Sequence, residues 1–181
     1  MALHFYRDFD VFSCKLYAFC DASFKNLPNG ASQGAFICFL IDSEGNYCPI
    51  AWQSRKIRRV VKSTIAAECL AALDAAEMIM YLSVVLKELL NVESMETIVL
   101  CDNKSLVSSV NSCTNLDDKA LLIDICVLRD LLGKKLINNF QWVSSDLQLA
   151  NCLTKQGAPD KYFIDVLNNH KYFCHDTGAF K

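Results

Sequence analysis

Through "KLYAFCDAS" (15–23) apolar and polar residues alternate, with aromatics among them. That period of two predicts a strand at about 15–21. "NLPNGASQ" (26–33) follows as a turn, because Pro28 and the Asn29-Gly30 pair favour tight reversals. "GAFICFLID" (34–42) predicts a second strand, "SEGN" (43–46) a hairpin turn and "YCPIAWQSR" (47–55) a third strand. Connections this short make the three strands antiparallel neighbours.

The period then changes. From Ser63 to about Leu90 the chain is rich in Ala and Leu and holds no Gly or Pro. Ile65, Cys69, Ala72, Ala76, Ile79 and Met80 recur at helical spacing, with Ser63 or Thr64 as the N-cap. "METIVLCDN" (95–103) is continuously apolar at its centre and predicts a buried strand. "KSLVSSVNS" (104–112) predicts a short helix. "DDKALLIDICVLRDLLGKK" (117–135) predicts a longer one, starting near Asp117 and ending at Gly133 and two lysines. "INNFQWVSS" (137–145) predicts a fifth strand, and "DLQLANCLTKQG" (146–157) begins a closing helix. The fold class is therefore α/β: a five-stranded mixed sheet, three antiparallel strands and then alternating helix and strand, flanked by helices. One domain over 1–157, with 1–14 as a lead-in, accounts for these elements. Residues 158–181 form a tail with a helical pattern in "DKYFIDVLNNH".

Composition narrows the class. Of 181 residues, 52% are hydrophobic and 21% charged, which suits a globular domain and not a disordered chain. No unbroken apolar run reaches the ~18 residues of a membrane helix. The longest, Met78 to Leu90, is interrupted by Ser83, Lys87 and Glu88. "MALHFYRDFD" lacks the pattern of a signal peptide, so no membrane partner is expected. The ten cysteines are scattered through apolar runs without a CxxC pair. They read as small buried hydrophobes, reduced, in an intracellular protein, and they give a structural zinc site little support. His4, His170 and His175 lie far along the chain from the acids discussed next and read as surface residues. Net charge is −2, but "RKIRRVVK" (55–62) concentrates five cations in eight residues.

Three acids carry the candidate chemistry. Asp21 closes the first predicted strand, Glu68 lies one turn into the long helix and Asp102 closes the fourth strand. Strand ends and the first turn of an adjoining helix converge in sheets of this kind. Acids packed together there repel one another unless a cation joins them. Their natural use is to hold hard divalent ions such as Mg²⁺, which can act on a phosphodiester.

The stretches "FCDASFKNLPNGASQGAF", "SRKIRRVVKSTIAAECLAALDAA", "VLCDNKSLV" and "WVSSDLQLANCLTK" resemble, in order, the ribonuclease H domain of Ty1/copia-type retrotransposon polyproteins, from about Leu3 to Gly157. The resemblance implies a ribonuclease H-like fold and metal-dependent hydrolysis of the RNA strand of RNA·DNA hybrids. It implies a D-E-D-D set holding two Mg²⁺ ions, with Mn²⁺ as a substitute. Asp21, Glu68 and Asp102 fall on its first three positions. The fourth falls on Asn151, where the family reads "QLADxLTK" and this chain "QLANCLTK". An amide oxygen can ligate a cation but brings no charge, so the expectation is weakened metal binding and strongly reduced turnover. Asp146, five residues earlier, lies more than one helical turn away and is not expected to replace it. An inactive module of the same fold, kept for binding nucleic acid or protein, is the alternative.

Ser23, Ser63, Thr64, Asn103 and Lys104 flank the acids and are candidates for 2′-OH and backbone contacts. For each, capping or turn bonding is the ordinary role, and for Asn26 it is the preferred one. Arg58, Arg59 and Lys62 lead into the helix that carries Glu68 and become candidate phosphate contacts. Arg55 and Lys56 read as solvated. Only "GKK" separates the later helix from the fifth strand, so no basic protrusion is there to grip a hybrid. The resemblance implies that a reverse transcriptase domain in the same polyprotein supplies that grip.

Overall fold

The computed structural model of the chain describes residues 9–112, 117–155, 157 and 161–169. The expectations for Leu3, the three histidines, Cys113, Cys174 and the end of the tail lie outside the described residues.

Alternate residues of the first strand enter two different cores. Leu16, Ala18, Cys20 and Ala22 are buried on one side of the sheet, and Phe19 is buried on the other. A strand covered on both faces must be central. The strands are β1 (Lys15–Ser23), β2 (Gln33–Ile41), β3 (Tyr47–Lys56), β4 (Thr97–Cys101) and β5 (Asn139–Trp142), and they lie in the order β3-β2-β1-β4-β5. The first three pair antiparallel, while β4 runs parallel to β1 and β5 parallel to β4. This is the predicted mixed sheet.

The first core lies under α1 (Thr64–Leu90), α2 (Lys104–Asn111) and α3 (Lys119–Gly133). The face that α1 turns to the sheet is nearly all alanine and cysteine: Ala67, Cys69, Ala72, Ala75 and Ala76 are fully buried. Side chains this small let the helix lie close to β1 and β2. Gly34 of β2 belongs to the same fit, since a Cβ there would meet Ile57 Cγ1 at 3.3 Å and Ala71 Cβ at 3.5 Å. By length and composition α1 would suffice to cross a membrane, contrary to the expectation from its interrupted apolar run. Much of that apolarity comes from the alanines packed on the sheet. Ser63 is its N-cap, accepting from the Ala66 amide at 3.3 Å, and Asn91 ends it in the left-handed region.

The second core lies on the other face, beneath α4 (Asn151–Thr154) and α5 (Lys161–Asn169). Phe19, Phe39 and Tyr47 stack edge to face there, with ring centroids 5.9 and 5.1 Å apart. Val166 and Leu167 of α5 pack on this core, and the Tyr47 hydroxyl donates to the Val166 carbonyl.

Asp117 lies near the start of α3 as expected, and Asp118 caps it, accepting from Ala120 and Leu121 at 3.0 and 3.2 Å. One boundary differs from expectation. The closing helix does not run from 146. Ser145–Leu147 form one 3₁₀ turn, and α4 is a single turn that begins at Asn151. Gln148, Leu149 and Ala150 interrupt them because all three are buried against the sheet. The eight described cysteines are free thiols, and Cys14, Cys20, Cys38, Cys69 and Cys101 are buried.

Candidate active site

Parallel pairing sets two of the acids side by side. Cys20 of β1 is in register with Cys101 of β4, so the next residues along the two strands are Asp21 and Asp102. Asp21 lies two residues inside the end of β1, and Asp102 immediately follows β4. By the alternation of β1, Asp21 shares the face of Phe19, where α4 packs. Its Oδ2 accepts from the Thr154 hydroxyl, and its Oδ1 lies 3.4 Å from Lys155 Nζ. Glu68 comes from the opposite face, from the second turn of α1.

Glu68, Cys101 and Asp102 offer ligand atoms within 4.8 Å of one another. The Cys101 thiol donates to Glu68 Oε2 at 3.5 Å. A hydrogen bond with the Cys20 thiol and burial push the Cys101 thiol up, so it stays protonated and able to donate. Glu68 is pushed up to about 7, first by burial and then by the charges of Asp102 and Asp21, against hydrogen bonds from Asn103 and Cys101. Asp21 is raised as well, by burial first and with Asp102 adding to it, while Thr154 and Lys155 hold it down. Carboxylates brought close together are the donor set of a hard divalent cation. Glu68 and Asp102 fit one by their separation, with Asp21 the neighbouring acid.

Asn151 stands at the start of α4 and is linked to Asp21 and Asp102 through Lys155 and Ser145. Its Nδ2 donates to the Ser145 carbonyl at 2.8 Å, and its Oδ1 accepts from Lys155 Nζ at 2.6 Å. These partners set the amide's orientation, since the reverse would place an NH₂ against an ammonium. Ser145 donates its hydroxyl to Asp102 Oδ2 at 2.8 Å. Asp146 is exposed beside Ser145 and faces a cleft of about 500 Å³ between the 3₁₀ turn, α4 and α5. That cleft meets the site through Asn151 and Lys155, but Asp21, Glu68 and Asp102 do not line it. Of the three acids, Asp21 and Glu68 are buried and Asp102 is partly exposed.

The other expected residues divide into two groups. Asn103 caps α2, accepting from Leu106 at 3.0 Å, and Lys104 stacks its ammonium 4.3 Å from the Trp142 ring centre. Arg59 is bound to the buried Asp124 of α3, one nitrogen at 3.1 Å, and its guanidinium stays half exposed. Arg55 pairs with Asp74 at 2.6 Å and so is not simply solvated. Asn26 donates to Gln33 Oε1 and to the Thr154 carbonyl, so it ties the turn to α4 and does not simply cap it. Arg58, Lys62 and Thr64 are exposed, and Ser23 is half-buried.

Sequence reading passed over Gln148, Ser145, Thr154 and Lys155. Gln148 is 4% exposed and donates to the carbonyls of Cys20 at 3.0 Å and Leu100 at 3.4 Å, one and two residues before the two aspartates. Its Oε1 accepts from Ala150 at 3.2 Å. A single buried amide thus fastens the last segment to both central strands. Its only signal in the sequence was its place within the "QLANCLTK" motif.

The fold is ribonuclease H-like. RNase H1 from the halophilic archaeon Halobacterium salinarum superposes with a TM-score of 0.54 at 15% identity, over 83% of this chain and 98% of that one. LC11-RNase H1, isolated from compost by a metagenomic approach, gives 0.56 at 17%, over 77% and 92%. A foamy viral protease-reverse transcriptase in complex with RNA/DNA hybrid gives 0.51 at 13%, over 80% of this chain and 19% of that one. No protein-family model matches the sequence, and no curated protein matches it either.

Proposed function

We propose that this chain is a metal-dependent endonuclease that hydrolyses the RNA strand of RNA·DNA hybrids, weakened by Asn151. The observation that carries the reading is that Glu68 and Asp102 come within ligand reach of one another, with Asp21 close enough for its charge to act on Glu68, on a ribonuclease H-like sheet. Glu68 and Asp102 would hold a divalent ion, Mg²⁺ by preference and Mn²⁺ as a substitute, with Asp21 beside them. When bound, such an ion supplies Lewis-acid charge to a phosphodiester and lowers the pKa of water. The chain's own residues position the acids: Gln148 ties the two strands, and Thr154 orients Asp21. Water adds to phosphorus, and the bond from phosphorus to the leaving sugar oxygen breaks.

Two of the similar structures carry the hybrid by name, an LC11-RNase H1 complex and the foamy viral enzyme, and they support it as the substrate class here. The motif resemblance supports a retroelement of Ty1/copia type as the origin. The foamy viral enzyme, in which the similar region is about a fifth of the chain, supports a reverse transcriptase domain as partner in the same polyprotein. Exposed Arg58 and Lys62, with Ser23, Ser63 and Thr64 around them, are the proposed contacts to the nucleic-acid backbone. Free buried thiols support an intracellular setting.

A labelled RNA·DNA hybrid in Mg²⁺ and in Mn²⁺ tests this. Cleavage should rise in Asn151→Asp and vanish in Asp21→Asn. A second reading, a binding module without turnover, is favoured by the amide of Asn151, which Ser145 and Lys155 already engage at both ends. No cleavage by either the parent chain or Asn151→Asp, with a control enzyme working, would select it.

A further inference from the structure

We propose that Lys155 occupies the place of a second cation, so that this site takes one divalent ion and not two. The inference rests on the reading of Asp21, Glu68 and Asp102 as a cation site. It begins with the two oxygens on the α4 side. Lys155 Nζ lies 2.6 Å from Asn151 Oδ1 and 3.4 Å from Asp21 Oδ1, so one ammonium already bridges the two oxygens on that side of the cluster. Lys155 follows α4 directly, and its backbone amide donates to the Asn151 carbonyl, which holds the lysine on the same turn as the asparagine. Asn151 cannot turn away without losing its bond to the Ser145 carbonyl.

Charge gives the same answer independently. With an amide at 151, the site holds three carboxylates. One divalent ion and one ammonium match three negative charges. Two divalent ions beside that ammonium would leave a surplus of like charge packed at short range. A fourth carboxylate would shift that balance toward a second ion, and Asn151 withholds it.

The other half of the cluster is left for the divalent ion. Among the described residues no ion pair involves Glu68 or Asp102. Their side-chain partners are the Cys101 thiol at 3.5 Å and the Asn103 amide on Glu68, and the Ser145 hydroxyl at 2.8 Å on Asp102, neutral donors that an ion can displace. The result is a chain of contacts from Asp102 through Ser145, Asn151 and Lys155 to Asp21, which closes one side of the site with the protein's own cation.

Counting ions tests this without relying on turnover. Mn²⁺ would be titrated into the full chain and free Mn²⁺ followed by electron paramagnetic resonance, for the parent, Lys155→Met, Lys155→Gln and Asp102→Asn, with circular dichroism confirming that each is folded. The expected result is one tight ion in the parent and none in Asp102→Asn. A second ion should appear in Lys155→Met and Lys155→Gln, at least tenfold tighter than any second ion in the parent. Two tight ions in the parent, or one ion in all three chains that keep Asp102, would overturn the role of Lys155 while leaving the cation site standing. No ion in any folded chain, or one that survives Asp102→Asn, would overturn the cation site itself and the inference with it.

Discussion

The two sides of the acid cluster are built on opposite principles. On the α4 side, Asp21 is buried, yet both its oxygens are met by donors, Thr154 and Lys155, one of them charged. On the α1 side, Glu68 is equally shut from water and faces Asp102 with neutral partners only. The first side carries a counter-charge of its own. The second is a carboxylate pair without a counter-charge, and folding alone gives no reason to assemble it. The difference locates the part of the site that needs something from solution.

Removing an acid should give the largest effect. In the Asn151→Asp chain, where cleavage is expected to be highest, Asp102→Asn should lower the rate of hybrid hydrolysis by at least ~10²-fold. Asp21→Asn should do the same for cleavage, but the two should part in ion binding. The first should lose the tight ion, and the second should keep part of that affinity because Glu68 and Asp102 remain. Equal loss of ion binding in both would erase the distinction between the sides.

Stability against pH probes the α1 side directly. The fold holds a proton on Glu68 up to about pH 7, whereas the unfolded chain releases it near the ordinary 4.5. The native state therefore binds more protons between those values, and stability falls as pH rises through that window and levels off above it. Asp21, raised as well, adds in the same direction. At ~1.4 kcal/mol per unit, the Glu68 contribution is on the order of 3 kcal/mol. Urea unfolding in EDTA at pH 5 and pH 8 should show the loss, Glu68→Gln should remove most of it, and Mg²⁺ at pH 8 should restore stability to the parent. A parent chain as stable at pH 8 as at pH 5 in EDTA would mean that the Glu68 side carries no charge strain.

Gln148 joins the two sides and comes next in size. Gln148→Ala leaves the Ala150 amide without its partner and opens a gap against β1 and β4, a change of about 1–3 kcal/mol. Thermal unfolding should fall by roughly 2–4 °C for each kcal/mol in a chain of this size.

The contrast between the sides also marks what the sequence could show. All five strands, the long helix and the three acids were legible because period and strand ends are local signals. Asp21 and Asp102 lie next to Cys20 and Cys101, whose apolar runs already read as strands. What stayed hidden was set by packing across the sheet. The stretch 146–157 has helical composition, but burial of Gln148, Leu149 and Ala150 breaks it into a 3₁₀ turn and one α-turn. Lys155 lies 134 residues from Asp21, and no local pattern joins them. Arg59 read as a phosphate contact because its partner, Asp124, is 65 residues further on.

The smallest effects belong to the basic segment before α1, and they separate two kinds of arginine. Arg58 and Lys62 are exposed, while Arg59 is held by Asp124. If Arg58 and Lys62 meet phosphates, changing either to Ala should weaken hybrid binding at every sequence alike. It should also lower the slope of log affinity against log salt by about one. Arg59→Ala should instead leave buried Asp124 without its cation. Its main effect should then be on unfolding, with a smaller change in the salt slope than either neighbour. Fluorescence anisotropy of a labelled hybrid in Ca²⁺, across a salt series, reads all three. An Arg59→Ala slope as reduced as the other two would show that the contact with α3 gives way when nucleic acid arrives, and the basic segment would then act as one surface.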